Sequence, residues 1–244
     1  KGQDAKTIHA KWKNSVFWIT NPTNDIKDDE IMLGGGIGSG SLIDKNGLIL
    51  TNWHVIENAN QVWVYPFPKD SKRLRMHKAI NADKFLAKVI AKDKKRDLAL
   101  IQITGFSKRI TPIPLGINDE VVPGEKVFSL GHPAFFGWNI NDGIVNQIYI
   151  NEGWNYGDII KEEGEEPDHE ATLVQHSANI TGGNSGGPLF NEKGNMIAIN
   201  NMGFPGEVIL NFAIVVKHAQ ELIQNKGQVG IKATATVEPL TEKM

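Results

Sequence analysis

The chain has 244 residues, of which 40% are hydrophobic and 22% charged, and its formal net charge is −2. That length buries a real core, as one large all-β domain or two small ones, and the near-neutral charge supplies neither the basic field that holds nucleic acid nor an acidic solvating tail. With no cysteine, disulfides, thiol nucleophiles and cysteine zinc sites are excluded together, so catalysis must use oxygen or nitrogen groups.

Lys1 is neither an initiator methionine nor the start of a signal peptide, so the chain reads as trimmed. No apolar run approaches the roughly 18 residues of a membrane span. Helical periodicity is confined to AKTIHAKWK near the start and VVKHAQELIQN at 215–225, where Val215, Ala219, Leu222 and Ile223 share a face. Between them, short apolar runs recur: SVFWIT (15–20), GSLIDKNGLILT (40–51), QVWVYPF (61–67), FLAKVIAKD (85–93), DLALIQI (97–103), KVFSLG (126–131), GIVNQIYI (143–150), ATLVQHS (171–177), MIAINNMG (196–203) and LNFAIVV (210–216). Runs of this length broken by Gly, Asn, Asp and Pro predict an all-β sandwich or barrel. Asp44 to Gly47 reads as the tight turn of a hairpin.

The proline-bearing segment 109–125 reads as a connector between two halves at about 14–110 and 112–216. Residues 151–170 are acidic without apolar periodicity and read as a loop, and the polar stretch 227–244 as a loose tail.

Three positions carry chemistry. His54 follows a predicted strand and precedes VIENA, one possible helical turn; alone, such a histidine is as readily structural. Asp97 opens a strand and could simply cap it. Ser185 lies in TGGNSGGPLF (181–190), which could be a plain glycine turn or a backbone leaving room for something that reacts with the hydroxyl. Their conjunction in the order His, Asp, Ser, each at a strand edge, matches one of the orders in which the nucleophilic triad occurs. GGGIGSG (34–40) invites a phosphate-binding reading. It fits neither GxGxxG nor the GK[ST] pattern and leads into a hairpin, not a helix. The remaining histidines have no HExxH spacing, and His169 with His176 lacks a third ligand, so neither metal nor cofactor is expected.

The segments GIGSGSLIDKNGLILTNWHVIENANQVWV, KKRDLALIQI and NITGGNSGGPLFNEKGNMIAINN carry a resemblance to the trypsin-like (chymotrypsin-fold) serine endopeptidases, most closely the HtrA/Deg family. It runs from about Ser15 to about Gln224. The resemblance implies two six-stranded antiparallel β-barrels with short terminal helices, and a cleft between them. In that cleft His54 would be the base, Asp97 its orienting partner and Ser185 the nucleophile.

The resemblance further implies an oxyanion hole from the amides of Gly183 and Ser185, which must point at a common site. Asn184 stands as a scaffold residue where digestive relatives have aspartate. The substrate pocket would draw on Asn179, Ile180, Met202, Phe212 and Ile214, with no aspartate to pair with Lys or Arg, so an apolar, small to medium P1 residue is expected. The backbone of Asn200 and Asn201 would pair with an extended polypeptide substrate. GGGIGSG becomes a close backbone crossing under the active site, and the acidic run Glu162, Glu163, Glu165, Glu166 and Asp168 either a solvated face or a regulatory loop.

HtrA proteins usually carry PDZ domains, whereas only a short tail follows Lys226, so either the chain has been cut there or it is a member without a PDZ domain. Many relatives form trimers through N-terminal aromatics. Trp12, Phe17 and Trp18 could make such a homo-oligomer or belong to the core. An extracytoplasmic location, periplasmic or secreted, follows from the family alone, as does a second reading in which the fold only binds peptide, as a scaffold or chaperone with an unformed oxyanion hole.

Overall fold

A computed structural model of the chain describes residues 2–21, 36–69, 83–156, 166–204 and 210–225. Gly34, Gly35, Glu162, Glu163, Glu165 and the stretch 227–244 lie outside the described residues. Six strands form the first barrel: β1 (Val16–Thr20), β2 (Ile37–Leu42), β3 (Leu48–Thr51), β4 (Gln61–Tyr65), β5 (Phe85–Asp93) and β6 (Leu98–Ile103). They close in the order β1-β2-β3-β6-β5-β4. The second comprises β7 (Lys126–Gly131), β8 (Asn139–Trp154), β9 (His169–His176), β10 (Pro188–Asn191), β11 (Met196–Phe204) and β12 (Leu210–Val215). It closes as β10-β11-β12-β9-β8-β7. Helices α1 (Ala5–Trp12) and α2 (Val216–Asn225) flank them, and the all-β expectation with two short helices holds.

Strand runs that look continuously apolar in the sequence still obey a period of two. In β1, Phe17 and Ile19 fill the interior of the first barrel while Val16 and Trp18 face a second apolar cluster shared by both barrels. The same division separates Ile49 from Leu48 and Leu50 in β3, and Val127 from Phe128 and Leu130 in β7. Strands buried on both faces need apolar residues at every position. The shared cluster is what fixes one barrel against the other, and so fixes the cleft.

One open alternative closes and two expectations are corrected. Trp12, Phe17 and Trp18 are 2%, 0% and 0% exposed; Trp12 stacks on Phe190 and Trp18 on His132, so these aromatics belong to the core of the chain. The segment 151–170 is not a loop throughout. β8 runs to Trp154 and β9 starts at His169, pairing Glu152 with Ala171, Gly153 with Glu170 and Trp154 with His169. A bulge between Tyr149 and Glu152, with Asn151 at φ 51°, re-registers the strand and hides its periodicity. α2 begins at Val216, so Val216 and not Val215 takes the buried face with Ala219 and Leu222. No helix among the described residues is long and apolar enough to cross a membrane.

Candidate active site

His54 starts a 3₁₀ turn, His54–Ile56, immediately after β3. Across from it, the turn Lys94–Asp97 enters β6, and Asp97 takes φ 51° there, a left-handed conformation that aspartate tolerates better than most residues. That turn is tied down by Asn52, whose Nδ2 donates to the Asp97 carbonyl at 2.9 Å, and by the Trp53 N–H, which donates to the same oxygen at 3.1 Å. The fully buried Asp97 carboxylate then accepts twice from His54: Oδ1 from the backbone N–H and Oδ2 from Nδ1, each at 2.8 Å. With Nδ1 committed as a donor, Nε2 is the nitrogen left to accept a proton.

Ser185 sits in the loop between β9 and β10. Gly186 N–H donates to the Asn200 carbonyl, Asn200 N–H to Gly187, and Gly187 N–H to Asn184, at 2.8, 2.9 and 2.9 Å. The first barrel supports the loop from beneath: Ser39 N–H donates to the Ser185 carbonyl at 2.8 Å. A β-carbon on Gly38 would sit 2.8 Å from that oxygen, so the glycines of GIGSG permit a close crossing. Asn184 is 1% exposed and packs against Gly131.

The Ser185 hydroxyl does not bond His54. It donates to the main-chain carbonyl of Asn201 at 2.8 Å. The N–H groups of Gly183 and Ser185 have no protein acceptor among the described residues. The Gly182 carbonyl accepts from Ala134 N–H at 2.9 Å, and in a trans peptide the Gly183 N–H points the opposite way. Gly183 has φ 103°, and a β-carbon there would collide with the carbonyl oxygen of His132.

Two residues unnoticed in the sequence set this loop. Ser39 Oγ donates to the Gly183 carbonyl at 2.7 Å and lies 2.7 Å from Nδ1 of His132. With its one hydrogen given to Gly183, Ser39 accepts from Nδ1–H of His132. Complete burial holds His132 well below the ordinary histidine range, at about 3, so the ring is neutral with Nδ1 as donor. A third is Tyr156, past the end of β8. Its hydroxyl donates to Asp97 Oδ2 and lies 2.7 Å from His54 Nδ1 and 3.0 Å from Asn201 Oδ1.

The pocket expectations fare unevenly. Asn179 is exposed and its carbonyl accepts from Asn141 at 3.0 Å; Met202 and Phe212 are half-buried, and Ile180 is buried. Ile214 is 0% exposed within the shared core and lines no open surface. Asn200 is a correction: its N–H and carbonyl are both used within the Ser185 loop. Its side chain is buried, bonding Ser129 and the Pro188 carbonyl, so it offers nothing to a substrate strand. Asn201 differs, because it falls at the bulge between Asn200 and Met202 where the β11–β12 ladder skips a residue.

A model of the trypsin-like peptidase domain matches residues 38–199. The chain is 31% identical over 191 residues to Protease Do-like 1, chloroplastic, of Arabidopsis thaliana, covering 76% of this chain and 38% of that protein. It is 29% identical over 228 residues to a probable periplasmic serine endoprotease DegP-like of Buchnera aphidicola, covering 91% and 42%. The chain thus spans less than half the length of these curated relatives. Among solved structures, the HtrA-type protease AlgW with tripeptide aligns with a TM-score of 0.68 at 23% identity, covering 93% of this chain and 64% of that one. The serine endoprotease from Yersinia pestis aligns at 0.67 and 24%, covering 94% and 69%.

Proposed function

Because the chain belongs to the trypsin-like peptidase domain family, we propose that it is an HtrA-like serine endopeptidase acting on extended or unfolded polypeptide, with the protease domain reaching to about Lys226. The observation that carries this reading is the Asp97 carboxylate gripping both the backbone N–H and Nδ1 of His54, which leaves Nε2 as the proton acceptor. For the reaction the Ser185 hydroxyl must leave the Asn201 carbonyl and turn toward that nitrogen. His54 then takes the hydroxyl proton as oxygen attacks the scissile carbonyl, Asp97 stabilises the imidazolium, and the proton passes to the leaving amine. Water repeats the sequence on the acyl-enzyme.

The unpaired N–H groups of Gly183 and Ser185 are suited to the oxyanion, and donors of this kind contribute roughly 2.7–4 kcal/mol each in other serine proteases. The substrate strand pairs at Asn201, whose ladder position is open. A substrate N–H taking the Asn201 carbonyl displaces the Ser185 hydroxyl from it, so occupancy of the cleft itself favours the reactive rotamer. Ile180 and Met202 suit an apolar P1 side chain. An extracytoplasmic location fits the periplasmic relatives.

The position of the Ser185 hydroxyl on Asn201 also favours a second reading, a peptide-binding scaffold. Digestion of casein and of a P1-randomised peptide library separates the two. Cleavage after apolar residues, lost in Ser185→Ala, is expected; no cleavage supports the scaffold, and dominant cleavage after Lys or Arg contradicts the pocket.

A further inference from the structure

We propose that Tyr156 is a positioning residue of the His54–Asp97 pair, a hydrogen-bond donor to Asp97 supplied across the cleft by the second barrel. The inference rests on the triad reading above and extends it to a residue outside the triad.

The hydrogen-bond count around Tyr156 singles out one arrangement. Its hydroxyl has one hydrogen and faces Asp97 Oδ2, His54 Nδ1 and the Asn201 amide. Nδ1 carries the hydrogen it shares with Asp97, so the tyrosine hydrogen goes to the carboxylate, the strongest acceptor present. That leaves none for Asn201 Oδ1, while Asn201 Nδ2 is buried with no partner. Turning the Asn201 amide over places Nδ2 against the tyrosine oxygen, so that Nδ2 donates to the tyrosine while the tyrosine donates to Asp97. Burial of the hydroxyl and the adjacent Asp97 charge both push the phenol up, which keeps it protonated and a donor. Asn201 therefore touches both halves of the site, holding Tyr156 by its side chain and Ser185 by its carbonyl.

Tyr156 is held where it is by the stems of the 151–170 segment, which land on the turn that carries Asp97. On one stem, the Tyr156 ring lies 4.8 Å from that of His54 and 5.0 Å from that of His169. On the other, Nδ1 of His169 donates to the Lys94 carbonyl at 2.6 Å, and Glu170 N–H donates to the Lys95 carbonyl at 2.7 Å. Trp154 stacks on His169 at 5.3 Å, and the Trp53 ring lies 5.8 Å from the same imidazole. Exposed pairs Lys94–Asp168 and Lys95–Glu170 add little by themselves. The second barrel thus grips Lys94–Asp97 from two sides and places a phenol at the end of the grip. The charged and titratable groups facing the imidazole are then Asp97 and Tyr156, with His169, Lys94 and Asp168 behind them.

The chemistry gives the sign of the effect. Asp97 Oδ2 divides its negative charge between His54 Nδ1–H and the Tyr156 hydroxyl. Removing the hydroxyl leaves that charge to the imidazole alone, which favours the protonated ring and loosens the carboxylate.

Tyr156→Phe keeps the ring packing and deletes the donor. The expected result is an acid limb of the kcat/KM profile moved up by roughly half a pH unit, with kcat lowered about three- to tenfold and KM little changed. A purely structural role for Tyr156 would lower Tm and leave the limb in place. Asn201→Ala, which removes the amide behind the hydroxyl, is expected to move the limb the same way by less, and serves if the phenylalanine variant does not fold. Activity that needs Ser185 together with superimposable pH profiles for wild type and both variants overturns the Tyr156 assignment alone. Activity that survives Ser185→Ala overturns the triad reading instead.

Discussion

The two sides of the cleft are prepared to different degrees. On the first-barrel side, His54 is fixed through both its backbone and its ring to a buried carboxylate, on a turn held by Asn52 and by the second barrel. On the second-barrel side the loop is equally well braced, through Ser39, Asn200 and Gly187, but the proposed nucleophile, Ser185, is bonded to Asn201 and not to His54. On the proposed reading a locked base stands opposite a parked nucleophile, and catalysis requires the Ser185 hydroxyl to turn from the Asn201 carbonyl toward His54.

The largest effect expected on this comparison comes from the nucleophile side. Gly183→Ala places a β-carbon against the His132 carbonyl at a φ of 103°, where side chains are strained. Relief requires the 182–183 peptide to turn, taking the Gly183 N–H with it. A fall in kcat of about 10²–10³-fold is expected, with His54 and Asp97 undisturbed in an NMR spectrum of the imidazole. A variant that keeps full activity would remove Gly183 from the oxyanion hole.

A smaller effect separates the two sides by pH. His132, His176 and His218 all belong to the second barrel or α2, and burial holds them at about 3, 4 and 4, below their ordinary 6.5. In the unfolded chain they take up protons below about pH 6.5. Their contribution is therefore complete above that value and is lost progressively as pH falls toward the folded values. Asp119, held at about 2 by hydrogen bonds from Asn195, Lys193 and Asn191, loses its contribution only at lower pH, below its ordinary carboxylate range. Tm is expected to fall by several degrees, on the order of 5 °C, between pH 7.5 and 5, with second-barrel amides exchanging first in hydrogen exchange. A flat Tm over that interval would contradict the neutral buried histidines.

Much of this was legible in the sequence. His54, Asp97 and Ser185 stand at strand edges in a telling order, and the structure brings the first two within hydrogen-bond distance. The terminal helices were visible from a period of 3.6. What escaped did so for physical reasons. Tyr156 and Trp154 are spaced two apart, as strand residues sharing a face are, but the bulge at Asn151 and the acidic composition around them hid the continuation of β8. His132 and Ser39 look unremarkable in SLGHP and GIGSG because their meeting is 93 residues apart. Trp12 and Trp18 offered two fates with one composition, and only packing against Phe190 and His132 distinguishes them. Asn200 and Asn201 are chemically identical neighbours, and a ladder bulge decides which one keeps its carbonyl out of the sheet ladder and facing Ser185.

The central claim, that Ser185 is a nucleophile activated by His54, is tested most directly by reaction with an organophosphorus serine reagent followed by peptide mass mapping. The account predicts one adduct, on Ser185, that is lost in His54→Ala. Casein turnover by a protein in which Ser185 stays unlabelled would contradict it.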